Sequence, residues 1–253
     1  MRVVVTGGAG FIGRSVIRVL VARGDDVVAI VRDPSRIRDM PGVALVAGDL
    51  ASTDELRQQF AGADGVIHLA AIYRIGIPVD ERPAMFDANV GATTRVIDAA
   101  VAAGVGRIVY ISTANTLGNT HGRVVDETFQ RDLADGFLSY YDETKYRAHA
   151  AVIERIGAGA PVVIVQPGTV YGPNDHSAIG IQLEQAFRGT LPYRALEDVG
   201  VTPVHVDDLA AGIVVALDRG TIGEAYVMAG PPIRHGEALE TAARVGGHSS
   251  STR

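Results

Sequence analysis

Cysteine is absent from the 253 residues. That excludes disulfides, a thiol nucleophile and thiolate metal sites together, and it fits a reducing compartment. Basic runs are also missing and the formal net charge is -6, so nothing electrostatic favours a nucleic-acid partner. None of the seven histidines pairs at a metal-ligand spacing, so no metal is expected. The chain opens directly on a strand pattern, without a charged segment ahead of a long apolar core. Its most apolar late stretch, Leu209 to Leu217, is too short to span a bilayer. These absences point to a soluble, cytoplasmic globular protein that meets neither membrane nor nucleic acid. Lysine is nearly absent as well: Lys145 is the only one, and every other strongly basic side chain is arginine.

What is present is a regular alternation. Short β-branched runs recur at Val3–Val5, Val27–Val31, Val43–Val46, Gly65–Leu69, Arg107–Ile111 and Val162–Val165. They are near-continuous rather than alternating, as in strands covered on both faces. Helical patterns lie between them: Phe11 to Arg23 with Gly24 as its stop, Ser52 or Thr53 to about Phe60, Asp80 to Ala103, and Tyr140 to Ile156. Strand–helix–strand alternation predicts an α/β fold with right-handed crossovers and a parallel sheet. Beyond about residue 170 the pattern loosens, leaving a helix at Asp207 to Arg219 and a strand at Ala225–Met228. The expected organisation is a core over 1–170, a small region over 171–245 partly interleaved with it, and a polar, disordered tail over 246–253.

"VTGGAGFIG" (Val5 to Gly13) places four glycines in nine residues between a strand and a helix. Glycine weakens both kinds of element, so bare backbone must be needed there. Gly7 or Gly8, then Gly10 and Gly13, match the spacing in which one glycine turns the chain, one admits a pyrophosphate and one lets helix pack on strand. The amides and dipole at the helix start add positive potential. The stretch predicts a dinucleotide site in a Rossmann-type doubly wound parallel sheet, against the alternative of a purely structural glycine turn.

"SYYDETKYRAH" carries Tyr141 and Lys145, four residues apart and so on one helix face. A phenol can exchange a proton with a substrate oxygen, and a nearby ammonium would lower its pKa toward the working range. The alternative is an ordinary exposed pair. With 8 tyrosines in 253 residues, a randomly placed lysine falls at this spacing with odds of 8/253, about 3%, so coincidence explains it poorly. "YISTANTLG" follows the fifth strand, where polar residues face the ligand crevice; there Ser112 or Thr113 could hydrogen-bond a substrate oxygen.

Together these segments resemble the extended, epimerase/dehydratase-like branch of the short-chain dehydrogenase/reductases, over nearly the whole chain. The resemblance implies that Gly7, Gly10, Phe11, Ile12 and Gly13 hold the nucleotide. It implies that "GDL" sets Asp49 on the adenine amine with Leu50 beside it. "HLAA" implies Leu69, Ala70 and Ala71 along the adenosine side, and "QPGTVYGP" implies Pro167, Gly168, Thr169 and Val170 against the nicotinamide. The "NVGATTRVIDAA" segment from Asn89 and "HVDDLA" from His205 match further family segments. Tyr141 becomes the general acid/base, Lys145 its partner and a ribose ligand, and Thr113 rather than Ser112 the third catalytic residue. Many relatives dimerise through the helices of Asn89 and Tyr141, which here carry small residues such as Ala99, Ala100, Ala148 and Ala151, so a homodimer is expected.

Departures from the family pattern narrow the activity. Ala114-Asn115 stands where 4,6-dehydratases of this branch carry Asp-Glu, and Val201 stands where many nucleotide-sugar epimerases carry an arginine. Arg188 and Arg194 could replace that arginine. The resemblance is therefore nearer to dihydroflavonol-reductase-like and 3β-hydroxysteroid-dehydrogenase-like members, with a small, fairly apolar substrate. An NAD-dependent nucleotide-sugar epimerase and a non-catalytic dinucleotide sensor are the other readings. At the end of the second strand, Val31 cannot bind ribose hydroxyls, while Arg32, with Arg36 near, suits a 2′-phosphate; Asp33 argues the other way. NADP(H) is expected over NAD(H).

Overall fold

The computed structural model describes residues 1–37 and 40–249. In chain order the elements are β1 (Arg2–Thr6), α1 (Phe11–Ala22), β2 (Asp26–Val31), β3 (Val43–Ala47), α2 (Thr53–Gln59), β4 (Gly65–His68), α3 (Arg82–Phe86), α4 (Ala92–Ala102), β5 (Arg107–Ile111), α5 (Tyr140–Gly157), β6 (Val162–Pro167), β7 (Thr169–Tyr171), α6 (Ala178–Phe187), β8 (Gly200–Val201), β9 (Pro203–His205), α7 (Val206–Arg219), β10 (Ala225–Met228), β11 (Ile233–Arg234) and α8 (His235–Val245). Seven strands form one parallel sheet in the order β10-β6-β5-β4-β1-β2-β3. The order reverses between β1 and β4, which opens a crevice at the carboxyl ends of the strands.

Each sheet face has its own core. On one, Val16, Ile17 and Leu20 of α1 meet Leu209, Ile213 and Leu217 of α7 across alternate strand residues such as Val3, Val5, Val109 and Val163. On the other, Leu56 and Phe60 pack with Val96 and Ile97 of α4 and Ala148 and Val152 of α5. Burial on both faces explains the continuous apolar runs: β4 and β6 are buried at every position, whereas edge strand β3 is only half-buried.

The long helix expected over Asp80 to Ala103 is broken into pieces. A 3₁₀ turn (Val79–Glu81) and α3 lead into a π-helical turn over Asp87–Gly91 before α4 resumes. Asn89 sits in that π turn, and its side chain is fully committed elsewhere, as described below. Helices α6 and α8 and the short pairs β7–β9 and β8–β11 have no counterpart in the sequence reading. The expected disordered tail starts in an ordered turn: Gly246 N and His248 N donate to Ala242 O and Ala243 O. Residues 250–253 lie outside the described residues.

Candidate active site

Because the sheet is parallel, every strand delivers its following loop to one edge. The glycine loop leaves β1, Arg32 follows β2, Asp49 and Leu50 follow β3, Leu69 to Ala71 follow β4, Thr113 follows β5, and Pro167 to Val170 span β6 into β7.

At β1 the glycines make the turn and the close helix packing that their spacing requires. Gly7 has φ +73°, and a Cβ there would sit 2.6 Å from Ala70 N, so the backbone of this loop lies directly against the β4 loop. A Cβ on Gly13 would strike Gly7 O and stand 2.7 Å from Gly8 Cα, which keeps α1 tight against the turn. A side chain on Gly8 would meet Ile17 at 2.5 Å, so Gly8 serves packing and Gly7 the turn. Gly10 caps α1 with extended backbone and no side-chain hydrogen bond, leaving the amides of the first turn for an anion. This cradle fits a dinucleotide pyrophosphate, and Gly7, Gly10, Phe11, Ile12 and Gly13 would hold it.

The loops after β2 and β3 are held by local hydrogen bonds and by Arg95, which sequence reasoning passed over. Leu50 adopts φ +63°, and Arg95 Nε donates to its carbonyl at 2.8 Å while pairing with Asp87. Asp49 is exposed and its Oδ1 accepts from Ala51 N, an Asx turn that fixes the loop. Asp33 Oδ1 accepts from both Ser35 N and Ser35 Oγ, capping a short 3₁₀ turn, so that oxygen is spent on the loop. Arg32 is exposed beside it.

Thr113 caps the 3₁₀ turn Ala114–Leu117, and its Oγ1 accepts from Asn115 N at 3.3 Å. Its hydroxyl hydrogen is left to donate outward. Ser112 instead turns inward, buried, with Oγ 2.9 Å from His149 Nδ1. Tyr141 and Lys145 lie one turn apart near the start of α5, which Ser139 caps at Asp142 N.

The Tyr141–Lys145 relationship differs from the expected one. The Lys145 ammonium donates to Ile111 O at 2.9 Å and to the Tyr110 hydroxyl at 3.3 Å. It is buried, and burial pushes its pKa down to about 7. The Tyr141 phenol is raised rather than lowered, first by burial and then by Tyr73 and Asp142. The ring of Tyr73 stands edge-on over Tyr141, with centroids 4.8 Å apart.

Two neutral imidazoles surround this lysine. His68 is pushed down to about 3 and His149 to about 4, in both cases by burial first and by the Lys145 charge second. Thr93 Oγ1 gives its proton to Asn89 O (2.7 Å), so His68 Nε2 must donate to Thr93 (3.0 Å) and Nδ1 accept from Thr6 Oγ1 (2.6 Å). Asn89 closes the network: Oδ1 accepts from Ile72 N at 2.7 Å, while Nδ2 donates to Ile72 O at 3.0 Å and Thr144 Oγ1 at 2.9 Å. The π turn aims Asn89 between α5 and the β4 loop. His149 left a legible trace, since it lies four residues beyond Lys145 on the same helix face.

The residues match a family model described as "NAD dependent epimerase/dehydratase family" over 3–229. The chain belongs to this family. It is 33% identical over 233 residues to a Synechocystis sp. protein provisionally named dihydroflavonol 4-reductase, covering 88% of this chain and 66% of the relative. It is 31% identical over 243 residues to the 2-alkyl-3-oxoalkanoate reductase of Stenotrophomonas maltophilia, covering 94% and 72%. The 3 beta-hydroxysteroid dehydrogenase/Delta 5-->4-isomerase of Mycobacterium tuberculosis is 31% identical over 194 residues, of which this chain spans 52% of the length. Among solved structures, that of gox2253 superposes with a TM-score of 0.88 at 34% identity, covering 98% of this chain and 75% of that one. A Streptomyces venezuelae dTDP-glucose 4,6-dehydratase (DesIV), solved with NAD bound, gives 0.85 at 27%, covering 100% and 84%. Both branches that the motifs resemble, reductases and sugar-nucleotide enzymes, are therefore represented. Among the described residues no helix is long and apolar enough to cross a membrane, and no cluster of three or more His, Asp or Glu is placed to hold a metal ion.

Proposed function

We propose that the protein is an NADP(H)-preferring oxidoreductase that reduces a carbonyl, or oxidises a hydroxyl, on a small and fairly apolar molecule. The observation that supports this reading is the reach of Lys145, one turn after Tyr141, to Ile111 O at the end of β5, with Thr113 two residues on in a turn packed against α5. The nicotinamide would supply or accept the hydride. Tyr141 Oη exchanges the proton at the reacting oxygen, and Thr113 Oγ1 donates a hydrogen bond to the same oxygen. Lys145 keeps a third N–H beyond Ile111 O and Tyr110 for a ribose hydroxyl.

The apolar-substrate reading draws on what surrounds the site. Ile72, Tyr73 and Ile75 on the loop after β4, and Tyr171 at the end of β7, are exposed at this edge. Arg194, largely buried, is held by Glu197 and Glu240 rather than open to a diphosphate, while Arg188 makes only an exposed pair with Glu184. The NADP(H) preference rests on Arg32 and on Asp33 serving as a cap. A charge-assisted contact of ~1.5–3 kcal/mol corresponds to roughly tenfold or more in affinity, which Arg32→Ala should abolish in calorimetric titrations. A panel of ketones and alcohols, followed at the reduced-nicotinamide absorbance, tests the activity. No turnover with any of them, together with NAD that copurifies tightly, would favour the epimerase. The exposed Val101 of α4 and Ile153 of α5 support a homodimer across these helices, which light scattering at micromolar concentration tests.

A further inference from the structure

A buried ion pair that the assigned chemistry does not use joins Arg131, in the segment between the Thr113 turn and α5, to Asp142 in the first turn of α5. Arg131 and Asp142 are each only 4% exposed. Arg131 Nη1 donates to Asp142 Oδ1 (2.9 Å) and to Asn115 O (3.1 Å). Nη2 donates to Asp142 Oδ2 (2.8 Å) and to Gly136 O (2.7 Å). The guanidinium is flanked by the rings of Phe137 and Tyr146, 4.3 and 5.4 Å from their centroids. Gly118, at φ +80°, leaves room for the Arg131 stem, since a Cβ there would sit 2.5 Å from Arg131 Cγ.

A buried ion pair is a weak way to gain stability, because desolvating both charges offsets their attraction. Its placement is more informative. Asn115 lies two residues after Thr113, and Asp142 directly follows Tyr141. We propose that Arg131 is a positioning residue of the catalytic centre: it neutralises the Asp142 carboxylate beside Tyr141 and ties the Thr113 turn to the start of α5. This inference rests on the oxidoreductase reading above.

The charges around Tyr141 show why such a neutraliser matters. Asp142 and Lys145 come from its own helix, Tyr73 from the β4 loop with Asp175 acting on it, and Tyr110 from β5. Lys145 is drawn toward Ile111 O and Tyr110, with His68 and His149 neutral beside it. An unpaired Asp142 would then disfavour the phenolate that alcohol oxidation requires.

The test uses the full chain labelled with fluorotyrosine, with the Tyr141 fluorine resonance assigned by its loss in Tyr141→Phe. Arg131→Met keeps the stem and removes the charge. Its Tyr141 titration and the matching limb of the pH–rate profile should both move up by about one pH unit. The Arg131→Met/Asp142→Asn double variant should bring both back toward wild type, while kcat falls more than KM changes. Unmoved titration in Arg131→Met, or a double variant no different from it, overturns the proposal. Should Arg131→Met fail to fold, Arg131→Lys and Asp142→Asn carry the test: the lysine variant should keep the titration while losing kcat, and the asparagine variant should lower the titration. Failure of either expectation is equally decisive. The fluorine titration needs no turnover, so an enzyme inactive on every substrate counts against the oxidoreductase reading alone.

Discussion

Lys145 should be a burden on the folded protein that only its chemistry justifies. Its pKa falls from 10.5 to about 7 in the folded chain because burial opposes the charge. At one pKa unit per 1.36 kcal/mol, that 3.5-unit drop is a cost of about 5 kcal/mol wherever the lysine must be charged. The sign follows from proton counting. Between pH 7 and 10.5 the unfolded chain binds more protons than the folded one, so stability rises with pH across that window. Below about pH 7 both states carry the charge and the full cost is present; above about pH 10.5 neither does, and it is gone. Lys145→Met removes the charge and fills similar volume, but it orphans Ile111 O and one bond to Tyr110, at about 1–3 kcal/mol. The variant should therefore be more stable than wild type at pH 6–7 by roughly 2–4 kcal/mol. The gap should close by about 1.4 kcal/mol per pH unit on the way to pH 10. Urea unfolding of both proteins at several pH values, without cofactor, measures this directly. Parallel stability curves, or a wild type more stable at pH 6, would refute the reasoning that Lys145 is buried as a reluctant cation. The same variant should lose turnover and bind cofactor more weakly.

Other perturbations follow from the same geometry. Tyr141→Phe keeps the edge-on contact with Tyr73 and should lower single-turnover hydride transfer by ~10²–10⁴-fold, with cofactor affinity in fluorescence titration nearly unchanged. Asn89→Ala removes three hydrogen bonds at a buried position and should cost about 3 kcal/mol in denaturant midpoint analysis, together with a loss of activity as the Ile72–Tyr73 loop loosens. Gly7→Ala meets both the positive φ and Ala70 N, and should abolish nucleotide binding by calorimetry before it unfolds the chain.

Strands β1, β2, β4, β5 and β6 could be read within a residue or two, because burial on both faces leaves an unbroken apolar run that needs no knowledge of neighbours. The glycine cradle was equally legible, since backbone crowding dictates residue type directly. What escaped depends on distant partners. Lys145 could be singled out, but its hold on Ile111 O and Tyr110 comes from a strand more than thirty residues earlier, and the burial that raises the Tyr141 phenol is not announced by the four-residue spacing. The π turn at Asn89 exists for a hydrogen bond to a loop seventeen residues away, and no local period announces it. Strands β7 to β9 and β11 are only two or three residues long, too short for any pattern to accumulate.

The position of α7 bears on how the chain is born. Leu209 to Leu217 cover α1 and the β5–β6 side of one sheet face, yet β5 is complete at Ile111. Roughly a hundred residues separate them, so at about 5–20 residues per second a ribosome takes about 5–20 s to deliver the covering helix. During that interval the emerging half-sheet presents Ile67, Val109 and Ile111 to solvent or to chaperones. Edge strand β10, at Ala225–Met228, arrives later still beside β6. Synonymous codon changes that slow synthesis between residues 111 and 217 would lengthen this exposure and lower soluble yield, while leaving the finished molecule identical.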